Sequence, residues 1–290
     1  MADYVIVTDS SADLTPALVQ KGGIEVFPLS FTIQEKTYHN YPDNREMSAG
    51  DFYGLIRSGV RATTAAVNVA DLTQGLEPIL RSGKDVLILS FSSGLSATYQ
   101  SGELAAAELR EQFPERKIYV VDTLSASLGQ GMLACLAAGE KAGGKSIEQV
   151  RDWVEEQKFH LCHWFTVDDL NHLKRGGRVS AATALVGTML SIKPVLHMDD
   201  EGHLISMGKA RGRAASLKAL VDKMEELAID PGSQTPFVSH GDCLEDAQKV
   251  ADDIKARFGV KEVVINHVGP VIGAHTGAGV VSIFFLGRHR

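Results

Sequence analysis

Cysteine is scarce in this 290-residue chain, and the three it has, Cys135, Cys162 and Cys243, lie far apart with no CxxC pair. That spacing excludes a disulfide framework or a zinc knuckle and fits a reducing compartment. Long apolar runs are also absent: nothing approaches the about 18 consecutive apolar residues that a membrane-spanning helix needs. The N-terminal MADYVIVTDS has no basic leader, and its apolar stretch is too short for a signal sequence, so a cytoplasmic protein is expected. Basic residues are outnumbered, 29 Lys and Arg against 36 Asp and Glu, for a formal charge of -7. That balance argues against a nucleic-acid surface, whose affinity comes from clustered cations displacing counterions. The phosphate-loop fingerprints GxxxxGK[ST] and GxGxxG are missing, and so is the GxSxG nucleophile elbow. There is no internal repeat and no low-complexity segment.

What is present is a strand and helix rhythm. Tyr4 to Thr8, Val86 to Ser90 and Ile118 to Val121 read as short buried strands, and the last two lead into helical patterns over Ser96 to Phe113 and Ser125 to Ala142. Asp13 is placed to cap a helix with Pro16 in its first turn. This βαβ order predicts a largely parallel sheet with helices on both faces. Pro28 demotes Ile24 to Ile33 to an edge or bulged strand. After Gly143-Gly144 a helix over Ile147 to Gln157 precedes a strand over Phe159 to Val167, and a domain junction is expected there, giving domains 1–158 and 159–290.

The second half predicts a short helix capped by Asp168 or Asp169 and ending at Gly176-Gly177, a helix over Ala181 to Leu190, and a hairpin over Val195 to Ser206. Helices over Arg213 to Leu227 and Leu244 to Phe258 follow, with strands over Pro236 to Ser239, Glu262 to Val268 and Val280 to Leu286. The fold class expected is α/β, with a parallel N-terminal domain, a mixed C-terminal sheet, and a ligand tunnel between or beneath them.

Four hydroxyl-bearing turns stand out: Thr8 to Ser11, Ala62 to Thr64, Ser90 to Thr98 and Asp122 to Ser127. Turns after parallel strands converge on one sheet rim, where ligands of open α/β sheets bind. Each alone is an ordinary helix cap. The stretch SFSSGLSATYQS delivers hydroxyls and free N–H groups to a helix start, which is a prepared anion site. Cations come from the second half, in LKRGGRVS (Lys174, Arg175, Arg178) and GKARGR (Lys209, Arg211, Arg213), and His275 and Thr276 sit in a glycine-rich turn. A phosphoryl-accepting Asp9 would want a second carboxylate for Mg²⁺, for which only Asp13 is nearby. In FHLCHWF, His160 and Cys162 share a strand face while His163 points away, so no metal is expected.

The segments VTDSSADL, FPL, SSGLSATYQS, VDTLSASLGQG, VDDLNHLKRGGRVS, IKPVL, GKARGR and GPVIGAHTGAG together resemble the DegV family, in this order and almost end to end. The resemblance implies a two-domain α/β protein holding one long-chain fatty acid in a buried tunnel. It also implies that the protein is no enzyme itself and needs no cofactor, and can serve as the acyl-carrying subunit of a bacterial fatty-acid kinase. Carried over by position, it makes Thr64 and Ser96 the carboxylate-binding hydroxyls, with the Ala97 N–H as a third donor and His275 and Arg178 flanking. Thr63, Ser10 and Thr276 are further candidates, and Arg211, Arg175 and Lys209 would face the kinase. The segment Ala184 to Ile192 would help line the tunnel. Physically, a carboxylate in an apolar site needs several charge-assisted donors.

The chain departs from the family pattern twice. Thr64 is followed by Ala65-Ala66-Val67-Asn68 where the family has SQPS, losing a hydroxyl and a turn-fixing proline. Ala97 stands where the family has glycine, which leaves its N–H able to donate if φ is negative. Two other readings remain: an acyl hydrolase with Ser96 as nucleophile and His275 as base, and a phosphate or sugar-phosphate binder using the same turns.

Overall fold

The computed structural model describes residues 3–179 and 191–290. The helix expected over Ala181 to Leu190 lies outside the described residues, as does all but the end of the expected tunnel segment Ala184 to Ile192.

Strands β1 (Tyr4–Asp9), β2 (Ile24–Phe27), β6 (Asp85–Ser90) and β7 (Ile118–Asp122) form an all-parallel sheet in the order β2-β1-β6-β7. Both faces are covered. Val7, Val86 and Ile88 pack on α3 (Val69–Arg81) and α4 (Thr98–Gln112), while Ile6, Leu87 and Leu89 pack on α5 (Ser127–Ala142) and α6 (Ile147–Gln157). This is why the strands read as unbroken apolar runs. A short helix α1 (Pro16–Gly22) precedes β2 and is capped by Thr15, whose Oγ1 accepts from the Leu18 N–H at 3.2 Å. Asp13, expected in that role, instead ends a single 3-10 turn in the left-handed region with its carboxyl turned inward.

Pro28 does more than weaken one strand. It separates β2 from β3 (Ser30–Ile33), which leaves the parallel sheet and centres a three-stranded antiparallel sheet with β4 (Lys36–His39) and β5 (Ala62–Ala65). Helix α2 (Ala49–Arg57) packs Phe52, Tyr53 and Ile56 on that small sheet against Phe31 and Ile33. The sequence reading had no third sheet. In consequence Ala62 to Thr64 is a strand of this small sheet and not one of the parallel sheet's turns.

A six-stranded sheet has the order β10-β9-β8-β13-β11-β12, with β8 (Leu161–Thr166), β9 (Ile192–Met198), β10 (Leu204–Arg211), β11 (Phe237–His240), β12 (Val264–His267) and β13 (Val281–Leu286). All pairs are antiparallel except β11 with β12. Helices α8 (Arg213–Leu227) and α9 (Leu244–Phe258) cover one face. Two short helices, α7 (Asn171–Gly176) and α10 (Pro270–Thr276), pack on each other, α10 also touching β3 and β5 of the small sheet, and α10 converts the glycine-rich turn expected around His275 into about two turns of helix.

The other face of the six-stranded sheet meets α5, so α5 has a sheet on each side and is buried from Ser127 through Ala134. Its small residues permit this. A Cβ at Gly129 would fall 2.3 Å from His163 Nε2, closer than any real contact. No helix among the described residues is long and apolar enough to cross a membrane.

Candidate functional site

A cavity of about 260 Å³ lies where the carboxyl end of the parallel sheet faces the six-stranded sheet. Its walls are mostly apolar: Leu29, Phe91 and Leu95 from the first half, Phe165, Met198 and Phe284 from the second, and Val271 and Ile272 from α10. Polar groups gather at one side. Strand β5 presents Thr64 and α10 presents His275, and Thr64 Oγ1 and His275 Nε2 lie 2.9 Å apart in a hydrogen bond. Burial, reinforced by the nearby Arg178 charge, lowers the His275 pKa to about 4, so the imidazole is neutral at physiological pH and acts as a hydrogen-bonding group and not as a cation. Helix α7 approaches so closely that a Cβ at Gly176 would lie 2.5 Å from His275 Nδ1.

Ser96 and Ala97 reach the same cavity from the turn after β6. Ser96 Oγ accepts from the Thr98 N–H at 3.2 Å and shares a 2.8 Å hydrogen bond with Thr98 Oγ1, so it caps α4 as well as facing the cavity. Ala97 is the N-cap residue with φ -76°, which leaves its N–H among the unpaired donors of a helix start. The added methyl therefore meets the condition set by the sequence. Ser92, by contrast, is buried and spent on structure, donating to the Gly202 carbonyl at 2.9 Å.

Arg178 is anchored on backbone, donating from Nε to the Leu95 carbonyl at 3.3 Å and from Nη1 to the Gly176 carbonyl. It lines the apolar cavity and also a second, outer cleft of about 580 Å³. That cleft also shares Thr64 and His275 with the first cavity and adds Arg61, Thr63, Asp169, His172, Arg175 and Gly176. The polar side of the apolar cavity thus opens towards arginines.

The remaining candidates separate. Thr276 lines the cavity but its hydroxyl donates to the Ile272 carbonyl at 3.2 Å. Thr63 faces away from Thr64, as strand alternation requires, and lines only the outer cleft. Ser10 does not join the cavity: it is buried, and its Oγ accepts from the Leu29 N–H at 2.9 Å. Lys209 and Arg211 are exposed on the edge strand β10 and line neither space. Arg213 is tied to Asp246 at 2.8 Å and Asp168 at 3.6 Å.

Four wall residues had no signal beyond alternation along their strands. His163 and Phe165 on β8 and Ser282 and Phe284 on β13 share one sheet face turned to the cavity, while Cys162 packs on the other face. His163 Nδ1 bonds the Leu161 carbonyl at 3.0 Å, and burial holds its pKa well below the usual histidine range. His160 bonds the Gly287 carbonyl, and among the described residues no group of three or more His, Cys, Asp or Glu is arranged to hold a metal.

Asp9 and Asp13 form a separate buried network. Asp9 accepts from the Phe91 N–H at 2.9 Å, the Ser11 N–H at 3.0 Å, Ser11 Oγ, and Gln130 Nε2 at 3.1 Å. Burial raises its pKa and those donors oppose the shift. With every lone-pair direction occupied by protein donors, Asp9 has no geometry left for a phosphoryl acceptor's role.

Comparison with known proteins agrees with this architecture. The profile of the DegV family, described as uncharacterised proteins, matches residues 3–288. A DegV domain-containing protein of Clostridium perfringens is 44% identical over 99% of this chain and 98% of its own length. Among solved structures, a fatty-acid-binding DegV family protein from Thermus thermophilus superimposes with a TM-score of 0.85 at 30% identity, covering 99% of this chain and all of that one. DegV of Bacillus subtilis, described as a fatty acid binding protein, does so with a TM-score of 0.84 at 28% identity, with 99% and 100% covered. Sequence motifs, fold and family profile coincide over nearly the whole length, and the chain belongs to the DegV family.

Proposed function

We propose that the apolar cavity holds a single long-chain fatty acid, with its carboxylate received by the Thr64 and Ser96 hydroxyls and the Ala97 N–H and flanked by His275 and Arg178. The observation that carries this reading is the one-sided gathering of donors around the 2.9 Å Thr64–His275 pair in an otherwise apolar cavity. A buried carboxylate without such donors would protonate or stay in water. The fatty acids bound by the Thermus and Bacillus relatives support the same ligand class. The cavity would lie between two units, residues 1–158 and 159–290, each built around its own larger sheet.

The protein would then act as a non-catalytic carrier without a cofactor. The outer cleft, with Arg61, Arg175 and Arg178 beside the carboxylate position, suits access by an ATP-binding kinase subunit that forms acyl-phosphate. Lys209 and Arg211 on β10 would extend that contact. A hydrolase is disfavoured by two observations: Ser96 bonds Thr98 instead of His275, and among the described residues no carboxylate bonds the His275 ring. A phosphate binder would want a polar cavity, which these walls are not.

Denaturing extraction of the purified protein followed by mass spectrometry tests the reading. One long-chain fatty acid per chain is expected. A phosphorylated metabolite in its place, or a ligand-free protein that takes up no added fatty acid, would overturn it.

A further inference from the structure

The carboxyl group of Asp13 touches neither cavity wall directly, yet it joins the elements that build the wall. Its Oδ1 accepts from the Gly269 N–H at 2.9 Å, and Gly269 is the N-cap of α10, which has no side-chain cap of its own. Its Oδ2 accepts from Ser127 Oγ at 2.6 Å, and Ser127 opens α5 and lines the cavity. Its backbone carbonyl accepts from Asn266 Nδ2 at 2.7 Å, and Tyr53 of α2 donates to the Val268 carbonyl at 2.8 Å just beside it. A residue from the first half therefore supplies the cap for a helix of the second half, six residues before His275. At 1.5 Å rise per residue, that fixes the histidine about 9 Å away along the helix.

We propose that Asp13 is a positioning residue: its carboxylate clamps the start of α10 to the start of α5, and this holds His275 in register with Thr64 for the ligand carboxylate. The proposal rests on the fatty-acid reading of the cavity. A short helix has little stability of its own, so its placement depends on tertiary anchors, and a carboxylate at its N-terminus is favoured by both hydrogen bonding and the helix dipole. The groups facing Asp13 are Asp9 from β1, Tyr41 from the segment after β4, Tyr53 from α2, and His267 at the end of β12 with the His240 ring tilted against it. None supplies a fixed positive charge, and burial, with the Asp9 charge, pushes the carboxyl up to about 7. The clamp is strongest when Asp13 is ionised, so it loosens towards mildly acidic pH.

Asp13→Asn reproduces the protonated side chain, and asparagine accepts the left-handed backbone at this position, where φ is 50°. Hexadecanoic acid affinity, measured by displacement of a fluorescent analogue, is expected to fall about fivefold to tenfold in Asp13→Asn at pH 8 and to match the wild type within about twofold at pH 6. In a His275→Ala background the Asp13→Asn penalty should vanish, because the two act on one contact. Ser127→Ala, which removes the other leg of the clamp, should show a smaller loss. Hydrogen exchange of the α10 amides needs no ligand and should quicken in Asp13→Asn at pH 8. Unchanged exchange, or an affinity penalty that persists undiminished without His275, overturns the proposal. If the wild type takes up no hexadecanoic acid, the reading of the cavity fails, and the exchange comparison alone decides whether Asp13 positions α10.

Discussion

The turns after β1 and β6 leave neighbouring strands of the same parallel sheet, and both are rich in hydroxyls, yet they have opposite fates. After β1, Ser10, Ser11 and Asp9 are consumed by protein donors and acceptors, and nothing is left to meet a ligand. After β6, the Ser96 hydroxyl is bonded only to its neighbour Thr98 and still faces a cavity, beside an Ala97 N–H left open at the helix start. The difference lies in what stands opposite. The β1 turn is covered by α5, whose Gln130 reaches in to complete the network, donating to Thr8 Oγ1 at 3.0 Å as well as to Asp9. The β6 turn is met by α10 and the six-stranded sheet, which leave a space. Hydroxyl content marks a site only where the fold leaves its hydrogen bonds unspent.

The sharpest break of that contrast is Asp9→Ala. It orphans the Phe91 and Ser11 N–H groups in the interior, and urea unfolding should show a loss of about 3 kcal/mol or more, from about 1–3 kcal/mol per buried unpaired group. On the β6 side the effect should move from stability to binding. His275→Ala should weaken fatty-acid affinity by about tenfold to a hundredfold, the range for a hydrogen bond near a charged group, with the urea midpoint nearly unchanged. Thr64→Val should cost about tenfold by the same displacement assay.

The two clusters also titrate in opposite senses. Asp13 has a folded pKa of about 7, above its unfolded value, so the folded state holds the extra proton between about pH 4 and 7 and stability falls as pH rises through that window. Asp13→Asn escapes the loss, and its urea midpoint relative to the wild type should climb from pH 4 to pH 7 and then level. His275 has a folded pKa of about 4, below its unfolded value, so between about pH 6.5 and 4 only the unfolded state takes up the proton and stability falls as pH falls through that window. Fatty-acid affinity should accordingly show no histidine titration near pH 6.5. A step there that disappears in His275→Ala would contradict the neutral imidazole. The smallest effect is expected at Arg211, exposed on β10, where Arg211→Ala should leave both fatty-acid affinity and unfolding unchanged, within about 0.5 kcal/mol.

Much of this was legible in the chain because it depends on local pattern. Unbroken apolar strands between helices specify a parallel sheet covered on both faces, and the helices over Arg213 to Leu227 and Leu244 to Phe258 follow from periodicity alone. Thr64, Ser96, Ala97, His275 and Arg178 were found through ordered motifs, and all five border one cavity. Ser10 was misjudged because its hydroxyl looks identical, on paper, to one facing a ligand. Asp13 was misread as the cap of its own neighbouring helix, since sequence shows only nearby partners and its real one, Gly269, lies 256 residues away.

The sequence by itself determined the elements, the family and the chemistry available, because periodicity, turns and motifs act over a few residues. Only the tertiary structure decided which hydroxyls are spent and which remain, that β3 and β5 form a third sheet bringing Thr64 to His275, and that α5 can stand between two sheets. Hydrogen-bond satisfaction and close packing are properties of groups far apart in the chain, and they exist only once the chain has folded.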